Sequence, residues 1–161
     1  MSYILYGYER EREELEEILL RGFQQGSPSW RVLAQRSGIK LISDPDGDNT
    51  HGCHWYVFQN ESWYHDPAQR AQFLGAPVDF LLQHGYVEVQ QPIKEDVVSY
   101  FSYDDQIHTT HSARFTSDET VCSKFGRYGP TAEHALELVP YPYGDYVRFF
   151  RKVEEPEKPQ Q

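Results

Sequence analysis

Apolar positions recur at helical spacing in the first half of the chain and at alternating spacing in the second. In "EREREELEEILLRGF" (9–23), Leu15, Ile18, Leu19 and Phe23 fall on one helical face. The acidic first half of this stretch suits a helix start. "SPSWRVLAQRSG" (27–38) offers Ser27 as N-cap, Pro28 at the first helical position and Gly38 as the stop, with Trp30 expected in the core. "SDPDGDNTHG" (43–52) is built of turn residues. "CHWYVFQN" (53–60) is apolar and aromatic, but too short for its period to separate a strand from a buried helix. "APVDFLLQHG" (76–85) reads as a short helix ended by Gly85.

From residue 86 the texture changes. "YVEVQ" (86–90), "DVVSYFSYD" (96–104), "QIHTTHSARF" (106–115), "ETVCSKFG" (119–126) and "YVRFFRK" (146–152) are strand-like runs, and "TSD" is a tight hairpin between the third and fourth. "GPTAEHALELVP" (129–140) is expected to hold about one helical turn, and "VEEPEKPQQ" (153–161) to fray as a tail. Helices followed by an antiparallel meander predict an α+β fold, with N-terminal helices packed on the sheet in a single domain over 1–152. The 161 residues match the size of one domain and suffice for a core without disulfide or metal staples.

Composition narrows the function classes. The net charge is -10 and the basic residues form no stripe, which argues against nucleic acid as a partner. No apolar run is long enough to span a bilayer, and charged "YEREREELEE" begins too early for a signal peptide. A reducing cytoplasm with free thiols is therefore expected, with export by another route as the alternative. Oligomeric state leaves no signature in the sequence.

The candidate chemistry centres on Cys53, delivered by a loop rich in Gly, Asp and Asn to the start of an ordered element. If that element is a helix, its dipole and free N–H groups favour the thiolate and can hold an oxyanion. Gly52 admits a substrate backbone closely. The base must come from elsewhere. Strand alternation puts His111 on one face and His108 on the other, and parity alone does not choose between them. A metal reading would combine His51, Cys53 and His54 with His108 or His111, a thiolate–imidazole set suited to zinc, although no second Cys-x-x-Cys arm exists. Cys122 reads as a core residue of its strand, and Glu133 and His134 as candidates for a cleft rim.

The order "GCHWYVF", "DVVSYF", "THSARF", "TVCSKFG" resembles the papain-like fold of NlpC-type cysteine amidases and peptidases. The resemblance implies Cys53 as nucleophile, His111 as base and a third polar residue near Ser123. Asn49 and His54 would line the cleft or oxyanion site. It implies a peptide or protein amide substrate and no cofactor. "C-H-W-Y" replaces the commoner "D-C-S-G", and Ser123 replaces the usual third residue; folds of this kind also include deamidases, transglutaminases and toxins. A non-catalytic binding module on the same fold is the other reading.

Overall fold

The computed structural model describes residues 2–21, 28–43, 52–126 and 129–153. Strand β1 (Tyr3–Ile4) leads to helices α1 (Glu9–Arg21) and α2 (Pro28–Ser37), then to β2 (Lys40–Ser43) and the short helix α3 (Cys53–Phe58). A 3-10 turn (Ser62–His65) precedes α4 (Pro67–Gly75) and α5 (Pro77–Gln83). Strands β3 (Tyr86–Val89), β4 (Val97–Phe101), β5 (His111–Phe115), β6 (Thr120–Lys124) and β7 (Thr131–Ala135) follow. A second 3-10 turn (Tyr141–Tyr143) enters β8 (Tyr146–Lys152). All eight strands form one antiparallel sheet in the order β1-β8-β4-β5-β6-β7-β2, with β3 sharing the outer edge of β8. The fold is mixed α+β.

The run "VVSYF" of β4 is buried at every position because both faces of the sheet are covered. Val97 joins Val57 and Phe58 of α3, Phe73 of α4 and Phe80 of α5 in one cluster. Its neighbours Val98 and Tyr100 enter another with Ala113, Val121 and Val147, against which Ile18 and Leu19 of α1 pack. Phe58 and Phe73 are fully buried, with ring centroids 5.0 Å apart. They fix α3 within the fold, and truncating either costs about 3–5 kcal/mol.

Two polar devices set the frame. Buried Arg12 of α1 donates to the carbonyls of Val139 (2.9 Å) and Gly144 (2.6 Å) and lies over the Tyr141 ring. It thereby pins the turn that carries Tyr143. Buried Asp96, which opens the "DVVSYF" phrase, accepts the Ile93 N–H and both arms of Arg151 at 2.8–3.0 Å. Bidentate geometry makes this pair a rigid start for β4.

Several expectations change. The helical turn expected within 129–140 is strand β7, paired on both sides by β6 and β2. The ladder overrides the helical propensity of Ala, Glu and Leu. Strands β1 and β2 add to opposite parts of the sheet, so the N-terminal helices are interleaved with strands. The strand expected from residue 106 begins only at His111. The Asp105 carboxylate takes the N–H groups of Ile107 and His108 at 3.1 Å and holds that stretch as a turn. Helix α4 was not expected, although Asp66 caps it through the Ala68 N–H (3.0 Å) and Pro67 sits at its first turn. The Ser27 cap, the side chain of Trp30 and the tail from residue 154 lie outside the described residues.

Candidate active site

The ambiguous "CHWYVF" run is a helix, and Cys53 is its first residue. Gly52 precedes it in extended conformation and supplies no side-chain cap. With six residues the helix has a modest dipole, so the thiol's state is decided by its neighbours. Burial alone would push the Cys53 thiol up. The imidazole of His54, then that of His111, reverses the sign and holds it well below the ordinary thiol value.

The two histidines arrive from different elements. His54 is the next residue of α3, and its Nδ1 lies 2.7 Å from the hydroxyl of Ser112 on β5. Its ring meets Phe73 of α4 edge-on, with centroids 5.6 Å apart. Burial lowers the His54 imidazole, but Cys53 outweighs it and raises the group overall. His111 opens β5 and is fully buried. Tyr143 stacks on its ring at 4.3 Å between centroids, Tyr100 meets it edge-on at 5.2 Å, and Phe125 lies parallel at 6.3 Å. Neither nitrogen of His111 has a partner in hydrogen-bond geometry. The nearby ring nonetheless lowers the Cys53 thiol.

The approach to His111 is fixed by threonines that the sequence reading passed over. The Thr109 hydroxyl bonds the carbonyls of Tyr100 (3.0 Å) and His111 (2.9 Å), and the Thr110 hydroxyl bonds those of Tyr100 and Tyr143. These bonds tie the start of β5 to the Tyr143 turn. His108 lies outside this cluster, half-exposed and bonded to Asp105 at 2.8 Å.

Ser123 does not meet His111. Its hydroxyl is 2.7 Å from Nε2 of His134 on β7, and Nδ1 of His134 is 2.8 Å from the Ala135 carbonyl. A carbonyl only accepts, so Nδ1 donates to it and Nε2 accepts the hydrogen bond that the Ser123 hydroxyl donates. His134 is thus a buried neutral ring, pushed down to about 3 by burial, and it is not a rim residue. Cys122 is half-buried opposite Glu133, its sulfur 3.9 Å from a carboxylate oxygen. Burial and then Glu133 push its thiol up.

Asn49 and His51 lie outside the described residues. Among the described residues no group of three or more His, Cys, Asp or Glu side chains could hold a metal ion. Nor is any described helix long and apolar enough to cross a membrane. No family model, curated protein or solved structure matches the chain. Ser112, Tyr143 and Phe125 were missed as site residues. Only Ser112 left a signal, being the neighbour of His111 and hence on the opposite face of the same strand.

Proposed function

We propose that the chain has a papain-like fold of NlpC type and works as a cysteine-dependent hydrolase or acyltransferase on an amide bond of a peptide or protein. The observation that carries this reading is Cys53 at a helix start beside His54 and His111, whose rings hold its thiol well below the ordinary value. The sulfur, its proton passed to His111, attacks the amide carbonyl carbon, forming the C–S bond. The Cys53 backbone N–H receives the oxyanion. The C–N bond breaks as His111 delivers a proton to the leaving amine. Water or an acceptor amine, losing its proton to His111, then attacks the thioester and releases Cys53. Since Ser123 is committed to His134, packing by Tyr100, Tyr143 and Phe125 orients the imidazole in place of a third polar residue.

The test is acyl transfer from p-nitrophenyl acetate, followed by nitrophenol release and intact-protein mass. The expected result is a burst and an acetyl adduct on Cys53, both absent in Cys53→Ala. Acetylation confined to Cys122, or no adduct at all, overturns the reading.

A further inference from the structure

A cavity of about 660 Å³ opens on the sheet face opposite α3. Val57 and Phe58 of α3 pack with Val97, whereas the cavity is lined by Phe149, which clusters with Val98 and Tyr100, and by Phe115, which packs against that cluster. Phe115 is the fourth residue along β5 from His111, so about 13 Å of strand separates the cavity from the candidate active site. Two aromatic pairs form its walls. Tyr3 and Tyr6 stand with ring centroids 6.1 Å apart, and Phe115 meets Phe149 edge-on at 6.4 Å. Tyr6 is 69% exposed, a large ring that the fold leaves uncovered. The charge in the cavity has one sign. Glu137, just after β7, and Glu119, in the β5–β6 hairpin, line it, and among the described residues no lysine or arginine does. The Tyr3 hydroxyl donates to Glu137 Oε1 at 2.7 Å and so fixes that carboxylate beside the rings. Gln90 and Gln91 stand exposed at the rim, where each amide offers both donors and an acceptor.

We propose that this cavity is a docking site for an arginine side chain carried by a peptide segment of a partner protein. A guanidinium is flat, so it can lie on the tyrosine and phenylalanine rings while its N–H groups reach a carboxylate. Glu137 is already held in place by Tyr3, which lowers the ordering cost of that pair. An anion would meet Glu119 and Glu137 as like charges. An apolar occupant would cover Glu137 without a counter-charge, which is costly. The Gln90 and Gln91 amides match the alternating donors and acceptors of a peptide backbone, for which a small organic cation has no use. The net charge of -10 draws basic segments to the surface, and the cavity gives them one place to stop. The site is separate from Cys53 and does not rest on the thiol hydrolase reading.

The experiment follows the fluorescence anisotropy of a labelled, end-capped peptide of alternating glycine and arginine as the full chain is titrated in. The same peptide with citrulline in place of arginine keeps the shape and removes the charge. Saturable binding is expected for the arginine peptide, with the citrulline peptide weaker by about tenfold or more. Glu137→Gln, which keeps an acceptor for Tyr3, should weaken binding about tenfold, and Tyr6→Ala, at an exposed position, about two- to fivefold. Glu13→Gln removes the same charge from an exposed site on α1 and should leave the affinity at the wild-type value, as should Cys53→Ala. Tetramethylammonium at millimolar concentration should not displace the peptide. Absence of saturable binding, or equal binding of the citrulline peptide, would overturn the proposal. So would an equal loss in Glu13→Gln, which would reduce the effect to the overall field of the protein. A loss in Cys53→Ala would move the peptide to the thiol site, and displacement by tetramethylammonium would replace the peptide with a small organic cation; either overturns it. None of these outcomes bears on acyl transfer by Cys53, so the two readings stand or fall separately.

Discussion

Cys53 heads a short helix between two imidazoles, whereas Cys122 lies mid-strand across from a carboxylate of Glu133. Burial opposes ionisation of both thiols. At Cys53 the neighbouring rings overcome it; at Cys122 the Glu133 charge adds to it. The histidines divide as well. His54 is raised by Cys53, which outweighs its burial, and His134, where burial wins, is pushed down to about 3. Residue type and burial do not by themselves set which way the two thiols shift. The sign of the nearest charge does.

The sharpest way to break this contrast is limited labelling with iodoacetamide near pH 7. Cys53 is expected to react about a hundredfold faster than Cys122, read by peptide mass spectrometry, because thiolate fraction governs the rate. Equal rates would erase the distinction. The next effect concerns His134. The unfolded chain takes up its proton near the ordinary value of 6.5 and the fold only near about 3. Its contribution to stability is therefore complete above pH 6.5 and declines as the pH falls between these values, by about 1.4 kcal/mol per pH unit at full slope. Urea unfolding at pH 7, 6, 5 and 4 should show this component in wild type and lose it in His134→Gln, which keeps an acceptor for Ser123. A slope unchanged in that variant would assign the acid sensitivity elsewhere. The smallest effect is Glu133→Gln, which removes the second cause that raises Cys122. Its labelling at pH 8 should rise about two- to fivefold while Cys53 stays at the wild-type rate.

Much of the sheet was legible because β3, β4, β6 and β8 carry the residues strands prefer, bounded by turn signals. The failures were tertiary. "TAEHA" has helical composition, yet it is sandwiched between two strands as β7. "QIHTT" alternates like a strand, but Asp105 and the threonine hydroxyls capture its backbone partners first. "CHWYVF" is one and a half turns of helix, too short for its period to declare itself, and the aromatic cluster around Phe58 is what makes it helical. At the site, the sequence pointed to Cys53 and placed His54 at the cleft. The preference for His111 over His108 came from a resemblance and not from parity. Parity had no purchase, because the two histidines do not share a strand. Ser123 was assigned to the wrong imidazole for a plain reason. His134, read as rim, is buried one strand away and takes its hydroxyl.

The central claim is that Cys53 and His111 form a working pair. The pH dependence of Cys53 alkylation in wild type, His108→Ala and His111→Gln tests it most directly. The account predicts a wild-type midpoint below the free-thiol value of about 8.5, an unchanged midpoint in His108→Ala and a raised one in His111→Gln. Three indistinguishable midpoints near 8.5, or a shift in His108→Ala alone, would contradict it.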